Sequence, residues 1–127
     1  MVSELRKLNW NFNLIIPVPL AKERKKERGY NQAAILARLI ALNMKKGFNS
    51  VGLRRIRHTI SQTRLSADER RKNVENAFIA SSEIIWDKSI LLIDDLATTC
   101  ATLESCTQTL YEAGAKYVYS FTLARTL

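Results

Sequence analysis

One histidine and two cysteines are spread over 127 residues, too few for the metal and thiol chemistry such side chains carry in groups. Cys100 and Cys106 form neither a CxxC pair nor a four-ligand zinc spacing, and the lone His58 adds no cluster. Proline is as scarce, and both copies, Pro17 and Pro19, fall in one segment. Long apolar runs are missing too. The segment from Leu14 to Leu20 (LIIPVPL) is short and broken by those prolines, and no charged-plus-apolar leader with a small-residue cleavage site precedes it. Neither a membrane span nor a secretory signal is read, so the expectation is a cytoplasmic protein without membrane insertion. With 46% apolar and 25% charged residues and no repeat or low-complexity tract, residues 1–127 suit a single domain around one core.

Acidic residues are the minority, 12 against 20 Lys and Arg, for a formal charge of +8. The excess is concentrated. Lys22 to Arg28 (KERKKER) holds five basic and two acidic residues, and Arg54, Arg55, Arg57, Arg64, Arg70, Arg71 and Lys72 follow against Asp68 and Glu69. Such runs are either a solvated face or an electrostatic footprint for nucleic acid, where Lys and Arg gain affinity by counterion release. Tyr30 is the obvious stacking candidate beside them.

Periodicity gives alternating strands and helices. Leu14 to Val18 reads as a buried strand and Asn31 to Met44 as a helix with Ile35, Leu36, Leu39 and Ile40 as its apolar positions and Gly47 as its stop. Val51 to Ile56 reads as a second strand. Ala77 to Ile85 holds one or two short strands, readable as a hairpin. Ile90 to Asp94 is a further strand, Thr102 to Ala113 a helix stopped by Gly114, and Tyr117 to Leu123 a last strand. The alternation predicts an α/β fold, a mainly parallel sheet with helices on both faces and right-handed crossovers.

The most informative stretch is Ile90 to Thr102 (ILLIDDLATTCAT). An apolar four-residue block fits a strand buried on both faces, which places Asp94 and Asp95 at its C-terminal end, where open α/β sheets bind ligands. Beyond them, Thr98, Thr99 and Thr102 supply hydroxyls just before a helix N-terminus, whose N–H groups suit a phosphate. The two acids would repel that phosphate at contact distance and more plausibly face sugar hydroxyls or a metal-bound part of the same ligand. Phosphate, vicinal hydroxyls and a divalent cation together suggest a phosphoribosyl group.

This stretch resembles the signature of type I phosphoribosyltransferases. Further segments, Ile15 to Leu20 (IIPVPL), Glu27 to Ala33 (ERGYNQA), Gln62 to Phe78 (QTRLSADERRKNVENAF) and Thr122 to Arg125 (TLAR), resemble in that order the competence protein F (ComF) family of phosphoribosyltransferase-like proteins. The resemblance runs from Leu14 onward. It implies a single-domain phosphoribosyltransferase-type fold with a mobile loop or hairpin, binding phosphoribosyl pyrophosphate or a nucleotide with Mg2+. Asp94 and Asp95 would be catalytic, holding the ribose hydroxyls directly or through magnesium and its waters. Ala97, Thr98, Thr99, Cys100, Ala101 and Thr102 would bind the 5-phosphate. Val18, Pro19, Leu20 and Arg28 would receive pyrophosphate; Pro17 and Pro19 have no N–H, which leaves Val18, Leu20 and Ala21 as backbone donors. Gln62, Arg64, Arg70 and Asn73 would act from a loop between His58 and Asn73 that closes over the reacting centre, as its polar composition without Gly or Pro allows.

Two departures stand out. Cys100 occupies a place where many members have Gly, so a positive φ there would be strained. Members also commonly begin with a cysteine-rich zinc-binding segment, whereas the first strand here starts about 14 residues from Met1, and that module is expected to be absent. The family's link to competence implies an alternative, a non-catalytic nucleotide or single-stranded DNA binder acting with other competence proteins in DNA uptake. Whether the chain is an enzyme, and whether it forms a homodimer, stays open. A phospho-acceptor domain, suggested by ILLIDD, needs a further acid and a lysine on later strands, and only about 32 residues follow Asp95.

Overall fold

The computed structural model describes residues 10–19, 31–56, 77–97 and 101–125, with the backbone alone at 95–97 and 123–125. Strand β1 (Leu14–Pro17) leads through helix α1 (Gln32–Met44) to the two-residue strand β2 (Gly47–Phe48). Strands β3 (Leu53–Arg55) and β4 (Phe78–Ala80) then pair with each other, followed by the single-turn helix α2 (Ser82–Ile85). Strand β5 (Ser89–Ala97), helix α3 (Ala101–Glu112) and strand β6 (Tyr117–Arg125) complete the chain. The main sheet is parallel in the order β2-β1-β5-β6. No helix among the described residues is long and apolar enough to cross a membrane.

The apolar blocks of β1 and β5 explain the layering. Successive strand side chains point to opposite faces, so a block that is apolar throughout needs cover on both. Ile16, Ile90 and Leu92 pack with Leu103, Cys106 and Leu110 of α3 and with Leu53, Phe78 and Ile85. Ile15, Leu91 and Ile93 pack on the other side with Ala37, Ile40 and Ala41 of α1 and with Phe12. This is the expected α/β arrangement with helices on both faces.

Several local expectations are corrected. The buried residues of α1 are Ala33, Ala37, Ile40 and Ala41, while Ile35 and Leu39 are exposed. Small side chains at every fourth position let the helix sit close to the sheet, which turns the larger side chains outward. The helix ends not at Gly47 but at Lys45, in the left-handed region at φ 54° and with its N–H donated to the Ala41 carbonyl. Gly47 instead opens β2, opposite Leu14. The strand read at 51–56 lies in a separate two-stranded sheet, and the hairpin is not contained in 77–85. It joins β3 to β4, and 82–85 is helical. Strand β5 runs past the acids to Ala97, because β6 pairs with it as far as Ala97 and Arg125. Gly114, at φ 102°, stops α3 as expected.

Candidate functional site

The connection β1–α1–β2 builds the sheet in one direction and β5–α3–β6 builds it in the other, so the strand order reverses between β1 and β5. At such a switch point the two strand-to-helix turns diverge and leave a crevice at the C-terminal edge, faced by the N-termini of both helices. Register fixes what faces what. Pro17 lies opposite Ile93, and the Val18 N–H donates to the Ile93 carbonyl at 2.8 Å, which brings the Val18–Pro19 turn level with Asp94.

Three of the walls share one apolar cluster. Val18, Ala77, Phe78, Ala101 and Leu103 are buried together, tying the turn after β1, the base of the hairpin and the first turn of α3 into a single unit. Asp94 at this edge is half-buried, as is Thr102 in the opening turn of α3. Ala101 and Thr102 open α3, and the first turn of a helix is in general the end that favours an anion. The hairpin is closed by the Ile56 N–H donating to the Ala77 carbonyl at 2.8 Å.

Two groups that sequence reasoning did not assign lie here. Asn31 is the N-cap of α1: its Oδ1 accepts from the N–H of Ala33 at 2.9 Å and of Ala34 at 3.4 Å. Its Nδ2 also donates to the Val18 carbonyl at 3.2 Å. An Asn just before an apolar helical pattern signals a cap, but nothing local signals a bond across 13 residues. Arg55, at the hairpin base, places its guanidinium 5.0 Å from the centre of the Phe78 ring. In the sequence it is one member of a basic run.

Cys106 reports on the same neighbourhood. Burial pushes its thiol far above the ordinary range, with Arg55 pulling it down and Asp94 pushing it up further. Both charges therefore bear on the α3 side of the crevice. A thiol held neutral is neither nucleophile nor metal ligand, so Cys106 is a core residue, as its complete burial requires.

The structure thus brings together Val18, Pro19, Asp94, Ala101 and Thr102. Val18 does not offer its N–H as expected, since β5 already takes it. Ala97 has its backbone within β5, and Asp95 follows Asp94 along the same strand. Leu20, Arg28, Gln62, Arg64, Arg70, Asn73, Thr98, Thr99 and Cys100 lie outside the described residues, as do His58, Tyr30 and the Lys22–Arg28 cluster. No cluster of three or more His, Cys, Asp or Glu that could hold a metal occurs among the described residues.

No protein-family model matches the chain. Individual proteins do. It is 36% identical over 115 residues to competence protein F of Haemophilus influenzae, covering 87% of this chain and 49% of that protein. To competence protein ComFC of Bacillus subtilis it is 35% identical over 122 residues, covering 89% and 45%. To DNA utilization protein YhgH of Escherichia coli K12 it is 33% identical over 113 residues, covering 89% and 49%. The chain spans about half the length of these curated relatives. Among solved structures, a hypoxanthine phosphoribosyltransferase from Staphylococcus aureus superposes with a TM-score of 0.59 at 19% identity, over 98% of this chain and 58% of its own. A glutamine phosphoribosylpyrophosphate amidotransferase from B. subtilis gives 0.59 at 18%, over 90% and 23%. The structural likeness establishes the phosphoribosyltransferase fold, and the sequence likeness supplies the lineage: the chain belongs to the competence protein F-like family of phosphoribosyltransferase-fold proteins.

Proposed function

We propose that the crevice between β1 and β5 binds phosphoribosyl pyrophosphate with magnesium and that the chain passes the phosphoribosyl group to a nitrogenous acceptor. The observation that carries this reading is the reversal of strand order between β1 and β5, with the Val18–Pro19 turn level with Asp94 beside the start of α3. In this reading the 5-phosphate rests at the opening turn of α3 and the ribose hydroxyls face Asp94 and Asp95. Pyrophosphate lies toward the turn after β1. The nitrogen lone pair forms the new bond to the anomeric carbon as the carbon–oxygen bond to pyrophosphate breaks, and that electron pair leaves with pyrophosphate. The chain's contribution is positioning and charge stabilisation of an oxocarbenium-like transition state.

Asp94 and Asp95 are the residues that would hold magnesium, through the ligand or water. A pair of carboxylates with no three-ligand cluster among the described residues suits an ion that keeps its waters and is carried by substrate phosphates. When bound, magnesium offsets pyrophosphate charge. The test is thermal unfolding with and without magnesium phosphoribosyl pyrophosphate. Ligand at about 100 times its dissociation constant adds roughly 2.7 kcal/mol, a rise of several degrees for a domain of this size. The rise is expected to need magnesium and to vanish in Asp95→Asn. No shift at millimolar ligand sinks the proposal.

A second reading, single-stranded DNA binding in competence, is favoured by the names of the relatives and by the formal charge of +8. Its mark is an affinity that falls steeply with salt, in a chain whose unfolding ignores phosphoribosyl pyrophosphate.

A further inference from the structure

We propose that the edge of the sheet opposite the crevice binds single-stranded nucleic acid, with Lys46, Lys88 and Lys116 taking phosphates and the stacked rings of Trp10, Tyr119 and Tyr117 taking bases; the inference rests on the nucleic-acid reading above and gives it a place. Parallel strands begin at one edge, and three of the four in the main sheet begin just after a lysine: β2 after Lys46, β5 after Lys88 and β6 after Lys116. Backbone bonds fix the row. The Lys116 N–H donates to the Lys88 carbonyl at 2.8 Å, the Asn13 N–H to the Ser89 carbonyl at 2.9 Å and the Gly47 N–H to the Asn13 carbonyl at 3.1 Å. With neighbouring strands about 4.8 Å apart, Lys46 and Lys116 are rooted roughly 14 Å from each other, a span that suits a chain of phosphates and exceeds a single one. Lys88 and Lys116 are exposed, as is Lys45 beside Lys46. Against these lysines stand, among the described residues, Asp87 and, at the end of α3, Glu112, whose carboxylate already accepts from Gln108 Nε2.

Aromatic rings stand at one end of the row. Tyr117, Tyr119 and Phe121 are in register with Ser89, Leu91 and Ile93, on the side of the sheet where α1 packs against β1 and β5. Trp10 stacks on Tyr119 with ring centres 5.1 Å apart and planes at 16°, and Tyr119 in turn lies 6.4 Å from Tyr117 at 28°. Tyr117, next to Lys116, is 55% exposed, so the stack is open at that end and a base adds as its next layer. On the same side of the sheet Lys46 Nζ lies 5.6 Å from the centre of the Phe12 ring. Cations that track a backbone beside rings that take bases are the composition of a single-strand surface. Helix C-termini at this edge favour cations, which accounts for the lysines but not for exposed, stacked rings beside them. A second copy of the chain fits poorly, because two such edges would set lysine against lysine. A duplex offers phosphates but hides the faces of its bases. Lys88 and Asp94 are about 20 Å apart along β5, at roughly 3.3 Å per residue, so a strand held here leaves the crevice free.

The experiment follows the anisotropy of a labelled oligothymidylate of about 16 nucleotides with the full chain over a range of salt concentrations. Replacing two lysines together, Lys88→Gln with Lys116→Gln, should weaken binding and flatten the slope of log affinity against log salt by about 1.4, two contacts' worth on a single strand. Tyr117→Ala should weaken binding at least about fivefold with the slope unchanged, and Tyr117→Phe, which keeps the ring, should recover what the alanine loses. All three are changes at exposed positions, so melting temperatures within a few degrees of the parent are expected. Phosphoribosyl pyrophosphate at constant ionic strength should not displace the oligonucleotide. Parent-like affinity in either the lysine pair or Tyr117→Ala overturns the inference. Displacement by phosphoribosyl pyrophosphate overturns it too, by putting the strand in the crevice, and so does a duplex of equal length that binds as tightly as the single strand. A parent chain that does not bind the oligonucleotide overturns the nucleic-acid reading itself, and the inference with it.

Discussion

The two βαβ halves of the sheet reach the same crevice by different means. In β5–α3–β6 both strands are nine residues long, and the ladder continues to Ala97 and Arg125. In β1–α1–β2 the strands have four and two residues, and β1 stops at Pro17, opposite Ile93. One wall of the crevice is therefore held by backbone pairing that runs past Asp94. The other ends at Val18, whose N–H donates to the Ile93 carbonyl and whose carbonyl accepts from the Asn31 side chain. The helices differ in the same sense. α3 is sealed between the sheet and the β3–β4 hairpin, whereas α1 faces the sheet with alanines and turns Ile35, Leu39 and Leu42 to solvent. The crevice is thus walled by one half held along a long ladder and another held at fewer points.

The widest gap between the halves should appear in large-to-small substitutions. Leu92→Ala opens a hole among Ile16, Cys106 and Leu110 in a fully buried cluster and is expected to cost about 2–5 kcal/mol in chemical denaturation. Leu39→Ala removes an exposed side chain and should stay within about 0.5 kcal/mol. Equal costs would break the comparison, because they would mean that the outer face of α1 is covered in solution. The exit from α3 gives a smaller effect. Gly114 has φ 102°, and a Cβ there would run into the Trp86 ring. Its carbonyl also accepts the Asp87 N–H at 2.8 Å. Gly114→Ala should cost roughly 1–3 kcal/mol. Adding Trp86→Ala should recover the steric part while leaving the backbone part, and full recovery would show that the positive φ is unstrained.

How much of this was legible follows from whether a feature is local. Ile90 to Ile93 announced a strand because four apolar residues in a row have no other economical place in a parallel sheet. Its continuation through Asp94 and Asp95 was hidden, since acids are poor strand formers and only pairing with β6 keeps them extended. The span of α1 was readable from its periodicity, to within the one residue by which Asn31 caps the helix and does not begin it. Its orientation was not, because a row of alanines is a weak hydrophobic signal until close approach to a sheet is known. Lys45 in the left-handed region was invisible as well, as glycine is the usual choice there. The β3–β4 hairpin and the Asn31–Val18 bond both join residues far apart in sequence, and so lay beyond any pattern in a short window. The motifs pointed to the C-terminal edge of β1 and β5, where Val18, Pro19 and Asp94 lie, with Ala101 and Thr102 opening α3. What they missed was how the turn after β1 is held.

The mildest effect near neutral pH comes from Cys106, and it tests whether the α3 half is as dry as its packing implies. Its thiol is buried, and loss of hydration is the main reason its pKa stands far above the ordinary 9.0. The folded state then keeps its proton over a range where the unfolded chain gives it up. Stability is therefore insensitive to this group well below pH 9 and falls as pH rises above it, by up to about 1.4 kcal/mol per pH unit. Because alkaline pH acts on the whole chain, the useful quantity is the difference between the parent and Cys106→Ala. The parent should lose stability more steeply above pH 9, while the two curves run parallel below pH 8. Alkylation at pH 8 should report the same protection, with Cys106 modified only on unfolding. If the curves stay parallel to pH 10, water reaches the thiol, and the contrast between a sealed half and an adjustable one fails at the residue flanked by Arg55 and Asp94.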